Sequence, residues 1–386
     1  PDLVVHDKLF GGLLVLPGKG DGTLDQPVYS SAPPSCNPTS MTVFSGALGA
    51  RRLAVVQACD DSLRVLDAEG GGALLFDAAY STGVSPSSVT AADLNGDGLA
   101  DLLVTNAGEA SVSVRLAWGE GAFPFRSDYP TGADPRAAAA VDLNGDGAPD
   151  LAVVSAGLGA VSVRLGNGDG TFGGRIDYPT GAQPSAVASA DLDGDGRPEL
   201  IVAGAVVSVL HNDGNGAFPA RVDYPLAFGA SLVSALDRNG DGRADVFTAG
   251  PAGASLLLNP GNGTFPTRVD YPGSAGASTL VELNGDGRLD LATVLDEVAI
   301  RVQLGEAGGR LDAKVAYPAG AAQPEPLAAD LNGDGKVDLI GEGLRVLLNQ
   351  GQGAFAPAVT YAAAGKPLVA DLNGDGRPEL VAVDGN

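Results

Sequence analysis

Asp93, Asn95, Asp97 and Asp101 stand at places one, three, five and nine of a nine-residue stretch, D-L-N-G-D-G-L-A-D, and the pattern returns six more times along the chain. The further sets are Asp142, Asn144, Asp146 and Asp150; Asp191, Asp193, Asp195 and Glu199; Asp237, Asn239, Asp241 and Asp245; Glu282, Asn284, Asp286 and Asp290; Asp330, Asn332, Asp334 and Asp338; and Asp371, Asn373, Asp375 and Glu379. Glycine holds places four and six throughout. Place seven is Leu99, Ala148, Arg197, Arg243, Arg288, Lys336 or Arg377, residues that share only a backbone carbonyl. A ring of oxygen donors with no nitrogen or sulfur suits a hard divalent cation, calcium above all. Glycine at six supplies the positive φ that turns the carbonyl of place seven inward. A bare turn would explain the glycines but not the carboxylates at places one and nine.

The elements that position these loops are strands. The nine places resemble the start of an EF-hand loop, but the glutamate at twelve and the flanking helices are missing. Leu102-Leu103-Val104 follows the first loop and Leu151-Ala152-Val153-Val154 the second, both strand-like. Successive loops begin 49, 49, 46, 45, 48 and 41 residues apart. The eight tyrosines, at 29, 80, 129, 178, 224, 271, 317 and 361, keep the same period, as do the G-A-F and G-T-F turns at 121–123, 170–172, 216–218, 263–265 and 353–355. A period near 48 residues with many short strands marks a repeat architecture.

One unit reads as four strands. In 184–225 these are 184–191, 200–203, one beginning at 206–210, and one ending at Tyr224, with the acidic loop joining the first two. The third strand alternates most cleanly, as Val112, Val114 and Leu116 against Ser113 and Arg115. The expected fold is all-β: a single β-propeller over 1–386 made of four-stranded antiparallel blades. Eight tyrosines give eight blades, with seven the alternative. The alanine-rich first strand belongs at the crowded centre. Residues 38–82 form a blade whose loop, S-G-A-L-G-A-R-R at 45–52, has no carboxylate and so no metal; Arg51 or Arg52 supplies positive charge instead. Residues 86–362 hold six calcium-loop blades. Strands in 366–386 (368–372 and 380–383) and in 1–30 (12–30 as third and fourth strands) complete the last blade from both termini. Residues 1–5 and 378–382 then compete for one strand position, which suggests a chain cut from a longer one. All acidic loops lie at one end of the blades, and short, small-residue loops such as T-G-A-D-P at 131–135 lie at the other.

D-L-N-G-D-G-R-P-E-L at 371–380, its counterparts, and G-N-G-T-F at 261–265 resemble FG-GAP/VCBS-type repeats, as in the integrin α-subunit head propeller and bacterial surface proteins. The resemblance covers essentially the whole chain. It implies calcium held by places one, three, five, seven (carbonyl) and nine, which in the first loop are Asp93, Asn95, Asp97, Leu99 and Asp101. Family propellers usually have seven blades, so eight is a departure, and Glu282 departs at place one of the fifth loop. The third loop, with four carboxylates, should bind tightest and the Glu282 loop weakest.

Composition agrees with a metal-loaded globular chain. Net charge is −24 and 22 of the 47 acidic residues lie in the seven loops, so seven calcium ions would leave about −10. That balance argues against nucleic acid and anionic membrane as partners. No apolar run is long enough for membrane insertion. The chain starts at Pro1 rather than Met, which fits removal of a leader. Cys36 and Cys59 fall at one end of the metal-free blade, and two cysteines in an exported chain favour a disulfide. The expected location is extracellular or on the cell surface, because cytosolic calcium would not fill loops of modest affinity.

No nucleophile elbow, zinc-protease motif or phosphate loop occurs, and the carboxylate pairs sit at metal spacing. His211 and Trp118 read as turn residues, Trp118 with edge packing, and the tyrosines as inter-blade core. The favoured function is non-catalytic binding of a protein or glycan ligand, as a monomer or part of a larger chain. Two alternatives stand beside it: a calcium-dependent, lyase-type polysaccharide enzyme, and a purely structural module of a larger adhesin or toxin.

Overall fold

The third strand of a repeat alternates because it is the filling of a sheet. Ser111–Trp118 lies between Asp101–Asn106 and Ala122–Pro130 and is antiparallel to both. Val112 and Val114 are buried, and so are the polar residues between them, Ser113 and Arg115. The polar face meets a neighbouring sheet rather than water, and Ser113 and Arg115 both hydrogen-bond there, although Arg115 Nε has no partner among the described residues. The Ser113 hydroxyl donates to Asp128 at 2.7 Å and accepts from the Asn106 amide at 2.9 Å. Arg115 donates to the Phe123 carbonyl at 2.9 Å.

The computed structural model describes residues 3–7, 12–16, 28–29, 38–46, 51–69, 73–119, 121–237, 241–272, 278–286, 288, 290–295, 299–306, 312, 315–318, 327–341, 345–360, 366–370 and 379–383. All regular structure among them is β. Seven four-stranded antiparallel sheets follow one another along the described chain, each with its strands in sequence order. The first contains Ser40–Ser45, Arg51–Gln57, Ser62–Glu69 and Ala73–Ser81. The seventh contains Leu327–Ala329, Asp338–Gly341, Arg345–Leu347 and Val359–Thr360, with a two-stranded ribbon, Asn349–Gly351 and Ala354–Phe355, inserted before its last strand. Observed strands run a residue or two past or short of the expected limits. The strand expected at 368–372, for example, is Lys366–Ala370.

First strands of successive sheets lie against one another: Ser40–Ser45 against Pro86–Ala92, that against Pro135–Val141, and so to Ala186–Ala190 and Leu232–Leu236. Alanine and serine dominate there because neighbouring backbones approach closely.

Between sheets the core is a repeated aromatic couple. Tyr80 meets Phe123 edge to face at 5.8 Å, Tyr129 meets Phe172 at 5.4 Å, Tyr178 meets Phe218 at 5.3 Å, Tyr224 meets Phe265 at 5.2 Å and Tyr317 meets Phe355 at 5.2 Å. Such pairs add about 0.5–1.5 kcal/mol beyond area burial. The Tyr80 and Tyr129 hydroxyls also accept the backbone N–H of Phe123 and Phe172, at 3.1 and 3.3 Å, whereas Tyr317 donates to the Gly353 carbonyl at 3.2 Å. A second repeated link is an arginine on the outermost strand. Arg126 donates to the Thr82 carbonyl and pairs with Asp128, and Arg221 donates to the Pro179 carbonyl and pairs with Asp223.

The terminal strands settle differently from the expected competition. Leu3–Asp7 lies between Gly12–Leu16, to which it is antiparallel, and Glu379–Val383, to which it is parallel. The sheet therefore has five strands, with Val28–Tyr29 and Lys366–Ala370 at its edges. Both candidate segments enter it. No hairpin joins Val383 to Leu3, so nothing imposes the antiparallel direction that a tight turn would. Gly12–Leu16 and Val28–Tyr29 contact Ala73–Ser81, and Lys366–Ala370 contacts Leu327–Ala329.

Candidate metal centre

Each acidic loop joins the first strand of a sheet to its second. In the first loop the Asp93 carboxylate accepts the N–H groups of Gly96 at 2.7 Å, Asp97 at 3.2 Å and Gly98 at 2.9 Å. Asn95 accepts the N–H of Asp97, and Asp97 that of Leu99. Gly96 and Gly98 have φ of +73° and +81°, and an added Cβ would meet nothing within 4 Å. Backbone conformation, not crowding, therefore demands glycine. The second and sixth loops repeat these bonds, with Gly145 and Gly147 on Asp142 and Gly333 and Gly335 on Asp330.

Place nine is different from the other three. Asp101, Asp150, Asp245, Asp290 and Asp338 are fully buried at the head of the second strand, and Glu199 nearly so, while places one, three and five face solvent or are half-buried. Asp101 accepts Leu94 N–H on one oxygen at 2.9 Å and Ala117 N–H on the other at 2.7 Å. Asp150, Asp290 and Asp338 do the same with Leu143 and Gly166, Leu283 and Gly305, and Leu331 and Asn349. Burial pushes the Asp101, Asp150 and Asp290 carboxyls above the ordinary carboxylate range, and the carboxylates at places five and one push the same way. Glu199 is pushed up to about 7 and Asp338 to about 6, again chiefly by burial. A divalent cation beside these groups would remove the mutual repulsion and hold them ionised. Each oxygen keeps a lone pair after its backbone bond, so the all-oxygen set fits calcium.

In the fifth loop Glu282 Oε1 accepts the N–H groups of Asn284, Gly285 and Asp286 at 2.8, 2.5 and 3.3 Å, as one oxygen of Asp93 and of Asp142 accepts neighbouring loop N–H groups; Gly287 lies outside the described residues. In the third loop, donor atoms of Asp191, Asp193 and Asp195 lie within 4.8 Å of one another. Asn239, Asp371, Asn373, Asp375 and Arg377 lie outside the described residues, as does Cys36; Glu379 heads the strand Glu379–Val383. Cys59 lies in the turn between Arg51–Gln57 and Ser62–Glu69.

Three residues were missed by sequence reasoning. Asn212, Asn259 and Asn349 follow the third strand of their sheets, Asn349 opening the ribbon strand Asn349–Gly351, and each ties its own loop to the preceding one. Asn259 donates to the Ala244 carbonyl of its own loop at 3.0 Å and to Leu192 of the preceding loop at 2.6 Å. Asn212 links Pro198 with Leu143, and Asn349 links Val337 with Leu283. The signal was present in N-D-G, N-P-G and N-Q-G at one repeat position, but in a turn rich in Asn and Gly it reads as turn chemistry alone.

Of the singled-out residues, Trp118 is 66% exposed and stands edge-on to Phe125, itself exposed, at 5.7 Å. His211 is the last residue of the strand Val206–His211 rather than part of the turn beyond it.

The chain belongs to the FG-GAP repeat family. The FG-GAP-like repeat matches residues 142–202, 237–293, 282–341 and 330–382, and the FG-GAP repeat matches 85–114. No curated protein matches the chain. Among solved structures it is similar to an Agrocybe aegerita lectin that recognises non-reducing terminal N-acetylglucosamine, at 18% identity and TM-score 0.53, covering 99% of this chain and 95% of that one. It is similar to apo AztD from Citrobacter koseri at 15% identity and TM-score 0.54, covering 98% and 96%. It is also similar to a candidate 6-phosphogluconolactonase from Bacteroides uniformis at 14% identity and TM-score 0.54, covering 83% and 97%. At these identities the likeness is one of fold, a β-propeller. No helix among the described residues is long and apolar enough to cross a membrane.

Proposed function

We propose that this chain is one calcium-stabilised propeller domain of eight blades, closed by strands from both termini, that works outside the cell or on its surface as a non-catalytic binding module. The observation that carries the calcium reading is the buried carboxylate at place nine, held by two backbone N–H groups beside exposed carboxylates of the same loop. Such a cluster is repulsive without a cation. Seven loops would each take one calcium ion through the oxygens at places one, three, five, seven and nine. Extracellular calcium is high enough to fill sites with Kd near 10⁻⁴–10⁻³ M. A Cys36–Cys59 disulfide would brace the sheet that has no metal loop.

The ligand class is a glycan or a protein. The exposed Trp118–Phe125 couple supports this, since an aromatic face in water is a platform for a sugar or an apolar side chain. The similar lectin shows that a propeller of this size can carry sugar recognition, and it does not extend to the residues used here. A glycan array on the calcium-loaded protein tests the reading, with Trp118→Ala as the comparison. Binding that calcium chelation abolishes and Trp118→Ala weakens supports it. Turnover of a polysaccharide would favour the enzymatic alternative instead.

A further inference from the structure

The third acidic loop breaks the repeat at three positions, and the three breaks meet in space. Place three is Asp193 where the other six loops have asparagine. Place nine is Glu199 where every other loop but the seventh has aspartate. The third strand of the same sheet ends in His211, where the corresponding residues of its counterparts are Leu116, Leu165, Leu258, Leu304 and Leu348. The correspondence is structural as well. Leu116, Leu165, His211 and Leu304 each lie over the turn glycine of the following sheet, Gly170, Gly216, Gly263 and Gly353. Donor atoms of Asp193, Glu199 and His211 lie within 4.8 Å of one another.

Glu199 adds an independent sign. It is 1% exposed, and one oxygen accepts Leu192 N–H at 2.8 Å. The aspartates at place nine in the first, second, fifth and sixth loops have both oxygens occupied by backbone N–H groups, but no second donor reaches Glu199 among the described residues. Glutamate's extra methylene distinguishes it from the aspartates of those loops, and its carboxylate lies within 4.8 Å of donor atoms of Asp193 and His211. The imidazole likewise has no hydrogen-bond partner among the described residues. A carboxylate on a residue so nearly buried, with a single backbone donor, is costly to keep ionised unless a cation meets it.

We propose that the third loop is a site for a borderline divalent transition metal, Zn²⁺ or a close relative, held by a His211 ring nitrogen, Asp193 and Glu199, with water completing the shell. Imidazole is a poor ligand for calcium and a good one for zinc, and two carboxylates with one histidine are an ordinary zinc donor set. Bonds of about 2.0–2.1 Å in a tetrahedral shell place donors about 3.3 Å apart, so the three groups close in by side-chain rotation. Asp193 and Glu199 are shared with the proposed calcium position, so the two metals exclude each other there.

His6 and His211 are the only histidines, so a long-range ¹H–¹⁵N spectrum of the imidazoles contains two spin systems. Titration of the calcium-free protein with zinc chloride is expected to shift one ring nitrogen of one histidine at one equivalent. His211→Leu installs the residue that the second, third, fifth, sixth and seventh sheets carry at this position. It should abolish that shift and weaken calorimetric zinc binding about tenfold or more, while the response of its thermal midpoint to calcium persists in the other loops. Unmoved imidazole resonances in the wild type, or the same zinc affinity in His211→Leu, overturn the proposal.

Discussion

Arg52 occupies in its sheet the place that Asp101 holds in the next. Each is buried at the head of the second strand, one residue before a fully buried leucine, Leu53 or Leu102, and five before a buried amide, Gln57 or Asn106. The charge is inverted and the environment inverts with it. Asp101 collects backbone N–H groups, whereas Arg52 donates to the Gly121 carbonyl, to Asp67 at 2.6 Å and to Asp77. Of the two arginines that sequence reasoning offered for this loop, Arg52 is the one turned inward; Arg51 reaches Ser45 at 3.2 Å on the exposed side.

Arg52→Leu should therefore destabilise the protein by about 1–3 kcal/mol, since it strands the Gly121 carbonyl and two carboxylates that are only partly exposed. Arg52→Asp should lose at least as much and gain no calcium, because 45–51 contributes no carboxylate. Urea unfolding and a calcium titration of the two variants check this. An extra calcium equivalent in Arg52→Asp would refute it.

Calcium removal should lower the thermal midpoint. Each ion bound only by the folded loop adds roughly 2.7 kcal/mol at a hundredfold excess over Kd. Magnesium should restore little, because it demands a small octahedral shell and gives up water reluctantly. Scans with calcium, magnesium and chelator decide the matter; an unchanged midpoint in chelator would mean the loops are ordinary turns.

The loops should differ in affinity. Glu282→Asp is expected to strengthen the fifth site, by restoring the side-chain length that the other loops have at place one. Asp193→Asn should weaken calcium in the third by removing one of four carboxylates. Calorimetry with calcium measures both, and equal affinities in variants and parent would contradict the ordering.

Asn259→Ala removes two donors from a position 1% exposed and leaves the Leu192 and Ala244 carbonyls without them. A loss of about 2–4 kcal/mol is expected. Gly166 stands at the same position of another sheet, but an added Cβ there would lie 2.3 Å from the Pro149 carbonyl oxygen. Gly166→Asn should thus destabilise rather than install the missing link. Denaturant midpoints of the two variants would show it, and a stabilised Gly166→Asn would be the contrary result.

Thiol titration of the unfolded, unreduced protein should find no reactive cysteine. Reduction should cost about 2–4 kcal/mol in the loop-entropy model. Two titratable thiols would remove the Cys36–Cys59 bridge from the account.

The repeat, the strand class and the oxygen donors were legible in the residues themselves. Places one, three, five and nine are local, and glycine at six follows from backbone sterics within the same nine residues. The tyrosine period and the valine alternation of Ser111–Trp118 are likewise properties of the chain read in order. What the tertiary structure decided are relations between units. Asn259 reaches a carbonyl 67 residues away, Tyr80 meets a phenylalanine 43 residues on, and Leu3–Asp7 pairs in parallel with Glu379–Val383. It also decided which of two adjacent arginines turns inward, and that Glu199 and His211 point at one spot. Such choices depend on how a neighbouring sheet fills the space beside each strand, and no local spacing carries that information.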